Sequence, residues 1–203
     1  MADTRLGWDR ALEYARELVK DGELSRGEHM RAFKKMRESD HEQDQRIAVA
    51  LLKIFIEKYP DDFDHELSLD EIIEYGNVLS RSHWKDYGRH VLYPMLELRS
   101  VPAVWVDRIS DEETVGLRKA FAEALHELAK RKRNPLERIL GMMKYFLDEP
   151  SVEARKRLAK ALKRAGLRDP ERLHYFLAQH EAGAGMNRIA LFAATRDILG
   201  WEK

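Results

Sequence analysis

The 203-residue chain contains no cysteine. Disulfide frameworks, thiol nucleophiles and cysteine-ligated zinc are therefore excluded, and a reducing, cytoplasmic compartment is the expectation. No apolar run approaches the roughly 18 residues that cross a bilayer, so no membrane partner is expected. The opening stretch MADTRLGWDRALEYARE is charged and lacks an apolar core, which predicts no secretory leader. Asparagine and glutamine number three each against 36 Lys+Arg and 36 Asp+Glu, a balance that leans toward a heat-adapted source. The zero net charge argues against a protein that binds nucleic acid over its whole surface. No segment alternates apolar and polar residues with a period of two, so no half-buried strand is predicted.

What is present is helical spacing. Ala48, Leu51, Leu52, Phe55, Ile56 and Tyr59 fall at i, i+3, i+4 steps, as do Trp8, Leu12, Ala15, Leu18 and Val19 near the start. The same pattern recurs in Leu117 to Leu128, Leu136 to Leu147, Leu158 to Ala165, Leu173 to Leu177 and Ile189 to Leu199. Prolines punctuate it. Arg133-Asn134-Pro135, Glu149-Pro150-Ser151 and Arg168-Asp169-Pro170 each end one helix and begin another, with Asn134, Ser151 and Asp169 as candidate caps. From residue 112 on, helix pairs arrive roughly every 35–45 residues, the period of HEAT and armadillo repeats. The expected fold is all-α: one domain over 1–203, a HEAT/armadillo-like α-solenoid of stacked antiparallel helix pairs. A compact helical bundle is the alternative.

Charge is unevenly distributed. Residues 1–100 carry 16 Lys+Arg against 21 Asp+Glu, and residues 101–203 carry 20 against 15. The excess concentrates in ARKRLAKALKRAGLRDPERL, residues 154–173. On a helical wheel Leu158, Ala161, Leu162 and Ala165 face inward. Lys156, Lys160, Lys163 and Arg164 fall opposite, with Arg157 at the edge. Solvated faces usually mix signs to gain i, i+4 pairs, and this one does not. In a stacked solenoid it would join Arg118 and Lys119, from an earlier helix, on one concave surface. That predicts a polyanion-binding face; a merely solvated helix is the plainer reading.

The segment from Val104 to His180, with LSRSHWKDYGRHVLYPML upstream, resembles the DNA alkylation repair proteins, HEAT-like alkylpurine DNA glycosylases. The likeness covers about residues 65–199 and consists of spacing and soft positions; the family's N-terminal helices are not recognisable in residues 1–40, and residues 1–64 are expected to form divergent N-terminal helices. It implies a DNA partner, duplex or alkylated, and no cofactor or metal. Trp84 falls on the family's pocket tryptophan, which would stack on a cationic base. Arg118 falls on a backbone-gripping arginine and Lys163 on another. The family's catalytic aspartate falls on Gly88, leaving Asp86 as the nearest carboxylate, and the second pocket tryptophan falls on Lys160. The expected site is therefore Trp84 and Asp86 for any chemistry, with Arg118, Lys119, Lys156, Lys160, Lys163 and Arg164 on DNA. The leading expectation is DNA binding. The alternatives are an active glycosylase and a protein-binding helical scaffold.

Other candidates have ordinary explanations. His83, Asp86 and His90 share a helical segment and could form a metal or acid–base site, but they read first as a polar helix face. Asp61, Asp62, Asp64, His65 and Glu66 lack the central glycine of a calcium loop. Glu112 and Glu113 suit a helix start. Trp105 and Trp201 are expected at helix junctions. Gly183-Ala184-Gly185 has neither the preceding strand nor the Gly-Lys-Ser/Thr of a phosphate loop.

Overall fold

The computed structural model describes residues 7–20, 24–59, 69–98, 103–111 and 113–201. Helix makes up 84% of it, and no strand occurs among the described residues. The elements are α1 (Trp8–Lys20), α2 (Arg26–Arg37), α3 (Glu42–Lys58) and α4 (Leu69–Tyr87). A π-helical turn over Gly88–Leu92 joins α4 to α5 (Tyr93–Leu98) without a loop. Then follow α6 (Ala103–Asp111), α7 (Val115–Lys130), α8 (Leu136–Met143), α9 (Val152–Arg168), α10 (Pro170–Glu181) and α11 (Met186–Leu199). The acidic cluster at 61–66 and Glu112 lie outside the described residues, as does the side chain of Trp105.

Local chemistry sets the boundaries. Ser25 starts α2 with its N–H and hydroxyl both donating to Glu28 Oε2, at 2.8 and 2.7 Å, so that Glu28 reaches back over the first turn. Ser151 accepts from the Ala154 N–H at the start of α9. Asp169 accepts from the Arg172 N–H at 2.9 Å, with Pro170 in the first turn of α10. Asn134 acts differently from expectation. It does not cap α8; its Nδ2 donates to the Leu128 carbonyl at 3.1 Å and closes the end of α7. The residue ahead of α8 is Pro135, which holds an extended backbone. Gly200 ends α11 with φ of 70°, the left-handed region that glycine enters without strain.

The longer helices pack in series. α1 and α2 lie on α3, α3 on α4, α4 on α7, α7 on α9, and α9 on α11. One continuous core runs through them, from Ala15, Phe33, Leu51 and Phe55, through Leu79, Tyr87, Leu117 and Phe121, to Leu158, Leu162, Leu173 and Phe192. The α4–α7 crossing is close because glycines line it. A Cβ at Gly88 would stand 2.3 Å from the Ala120 carbonyl oxygen, and one at Gly116 would stand 2.7 Å from that of Ser80. Ion pairs cross nearly every junction: Arg37–Glu74 at 2.6 Å, Arg46–Asp86 at 2.9 Å, Arg89–Glu123 at 2.7 Å, and Arg188 with Asp148.

Candidate nucleic-acid interface

The helix α9 sorts its cations by role. Its arginines nearest the neighbouring elements turn inward. Arg155 Nη1 donates to the carbonyls of Glu149 and Pro150, both at 2.7 Å, and to Asn187 Oδ1 at 2.9 Å. Arg168 donates to the carbonyls of Arg131, Lys132 and Asn134 in the turn after α7. Arg157 Nε lies 2.9 Å from Glu123 Oε2, an ion contact off the line of the N–H, and its guanidinium sits 5.7 Å from the Trp84 ring centre. By contrast Lys156, Lys160 and Arg164 are exposed and Lys163 is half-buried. None of these four makes an ion pair or hydrogen bond among the described residues.

Arg118 and Lys119 are placed otherwise. Arg118 is only 8% exposed and Glu149 4%, with Nε 3.1 Å from Glu149 Oε2. Its guanidinium is a buried strut between α7 and the turn before α9, so it does not present an open charge to a phosphate. Lys119 is paired with Glu153, and that ammonium holds the Glu153 carboxyl below its usual pKa. It borders the face while already neutralised.

Trp84 and Asp86 do not converge. Trp84 is half-buried and turned toward α9, with Arg157 and Lys85 above its ring. Asp86 faces α3 and accepts from Arg46 Nε at 2.9 Å. Residues two apart on a helix point about 200° apart, in keeping with Trp84 meeting Arg157 of α9 and Asp86 meeting Arg46 of α3. Gly88 is buried against the α7 backbone, so this position has no room for any side chain, carboxylate included.

His83 and His90 are likewise apart. His83 Nε2 donates to the Glu42 carbonyl at 2.7 Å. The His90 ring stacks on Trp8, with centres 3.9 Å apart and planes 5° apart, and burial pushes its pKa down to about 4. Among the described residues no cluster of His, Asp and Glu is arranged to hold a metal ion, and no helix is long and apolar enough to cross a membrane. A shallow depression of about 310 Å3 lies between Pro170, Glu171, His174 and Trp201, on a different part of the chain from Trp84.

No protein-family model, curated protein or solved structure matches the chain. Its site must be read from its own residues. The residue that sequence reasoning missed is Glu123, fully buried on α7 between Arg89 and Arg157. A lone carboxylate inside the apolar run AFAEAL was the signal, since a buried charge requires partners from elsewhere in the chain. His126, one turn along, is buried with no partner for Nδ1, and burial beside Lys130 pushes its pKa down to about 4.

Proposed function

We propose that the chain is a HEAT-like helical-repeat protein that binds duplex DNA through the basic face of α9. The stacking of α3, α4, α7, α9 and α11 in series supports the repeat arrangement, with α8 and α10 joined to the stack beside them. Arg89 and Arg157 reach Glu123 from opposite neighbouring elements, which suits a concave surface over α7. The observation that carries the binding reading is the contrast along α9. Its arginines are held by the protein itself, while Lys156, Lys160, Lys163 and Arg164 make no ion pair among the described residues. Four neighbouring like charges repel one another, and a phosphate backbone relieves that repulsion while releasing its own counterions.

Excision is not the activity we assign. Gly88, where the resembled family's catalytic aspartate falls, has no side chain, and Asp86 is engaged by Arg46, so neither supplies a free carboxylate to stabilise charge at a sugar. DNA binding without base release is the expected behaviour.

The test is fluorescence anisotropy with a labelled duplex across salt concentrations. Three or four phosphate contacts give a log–log slope of about −3 to −4, so affinity falls roughly 40- to 150-fold between 50 and 200 mM salt. Reversing charge at Lys160 and Lys163 should weaken binding to all sequences alike, because phosphates carry no base information. No binding at 50 mM salt would end this reading and favour a protein-binding scaffold.

A further inference from the structure

The free cations of α9 are ordered. Lys156, Lys160 and Arg164 stand at i, i+4 and i+8, all exposed. At 1.5 Å of rise per residue their backbone positions are about 6 Å apart along the axis, each turned about 40° from the last. A step of that size matches successive phosphates on one strand, once the strand's rise of about 3.4 Å is combined with its lateral swing. The row also has ends. One turn before Lys156 is Val152, 56% exposed and uncharged. One turn after Arg164 is Arg168, whose guanidinium is taken by the carbonyls beyond α7.

The row's neighbours are engaged or lie off it. On one side, Trp84 already carries Lys85 and Arg157 at 5.3 and 5.7 Å from its ring centre, cations that compete with a base for the ring. On the other, Lys163 is half-buried and lies about 60° around the helix from Lys160, off the row.

Resting on the DNA-binding reading above, we propose that Lys156, Lys160 and Arg164 form a three-rung ladder that seats three consecutive phosphates of a single nucleic-acid strand, without contact to the bases. The ligand is thus a phosphodiester strand, free or within a duplex. The rungs are unequal. Glu153, held by Lys119, also faces Lys156 and weakens that end, so Lys160 and Arg164 dominate.

The experiment uses the full chain and thymidine oligonucleotides bearing one to five phosphates, competed against a labelled duplex at low salt. Affinity should climb steeply to three phosphates and then only by the statistical gain of extra registers. The salt slope for single strands should be about −2, and each of Lys160→Gln and Arg164→Gln should flatten it by about 0.7, Lys163→Gln by clearly less, while Lys34→Gln on the exposed side of α2 leaves it unchanged. Circular dichroism confirms that these surface variants remain folded. Ribose and deoxyribose oligonucleotides of equal length should bind within a few-fold of each other. If Lys163→Gln costs as much as Lys160→Gln, or affinity climbs evenly to five phosphates, the ladder is wrong and a diffuse basic patch stands in its place. If Lys160→Gln is neutral while Lys156→Gln and Arg164→Gln are not, the end rungs bridge two strands and the single-strand seat is refuted. A tenfold preference for RNA would refute phosphate-only contact. Failure of both oligonucleotides and duplex to bind would overturn the DNA-binding reading itself.

Discussion

Replacing Gly88 by alanine probes the α4–α7 crossing through a single methyl group. That methyl would stand 2.3 Å from the Ala120 carbonyl oxygen, 2.9 Å from Glu123 Cβ and 3.1 Å from the Ala120 carbonyl carbon. Two of these three neighbours are backbone, so no rotamer change relieves the clash. α7 itself would have to move, and Glu123 is anchored on it by Arg89 and Arg157. Two effects oppose each other. Alanine gains about 0.5–1 kcal/mol over glycine in a helical position. Overpacking a rigid contact costs about 1–3 kcal/mol, and more where backbone must shift. The clash wins, with a net loss of about 1–2 kcal/mol or more. For a domain of this size each kcal/mol moves the melting temperature by roughly 2–4 °C, so Gly88→Ala should melt about 2–8 °C lower. Gly141 provides the control. It lies inside α8 with open space where a Cβ would go, so alanine there brings the helical gain alone. Gly141→Ala should melt a few degrees higher. Thermal unfolding followed by circular dichroism, with urea midpoints as a second measure, reads both. A Gly88→Ala protein as stable as the parent would refute the close crossing, and with it the reason given for the missing carboxylate. Gly88→Asp should likewise destabilise the fold and release no 7-methylguanine from methylated DNA.

Three further outcomes follow from the buried charges and the basic face. Glu149→Gln leaves Arg118 buried beside a neutral partner and should lower stability by about 3–5 kcal/mol, seen as a reduced urea midpoint. His90 and His126, both held near pKa 4 by burial, bind protons less readily folded than unfolded. Their contribution is intact above pH 6.5 and is lost as pH falls from there toward about 4. The urea midpoint should fall across that window, less so in His126→Gln, and an unchanged midpoint would contradict the burial. Glu153→Gln removes the carboxylate beside Lys156 and should tighten DNA binding about two-fold, whereas weaker binding would show that Glu153 positions Lys119 instead.

Much of the helical framework was legible because local chemistry fixes it. Most of the periodic apolar residues became the core, although Ile189 and Ile198 of the last stripe are exposed, and Ser151 and Asp169 cap the helices they were expected to cap. Exposure of Lys156, Lys160 and Arg164 followed from the same wheel that put Leu158 and Leu162 inside. What periodicity could not supply is which partner a residue meets far along the chain. Arg118 looked like a surface cation because its partner, Glu149, lies 31 residues away. Asn134 looked like a cap for the helix after it, yet bonds back to Leu128. Gly88 looked like a lost carboxylate; its role as a close-approach point depends on α7, which nothing near position 88 announces. The π-helical turn at Gly88–Leu92 and the kink at His83, where φ is −118° and ψ 31°, are equally invisible to a 3.6-residue pattern, since each is a local backbone adjustment.

The partition of α9 also decides how the protein responds to chemical modification. Arg155, Arg157 and Arg168, which brace the helix against its neighbours, carry no primary amine. Lys156, Lys160 and Lys163, which brace nothing among the described residues, do. Acetylation of accessible amines would therefore erase most of the outward charge while the guanidinium bracing stays in place, leaving a folded protein whose proposed polyanion-binding face is discharged.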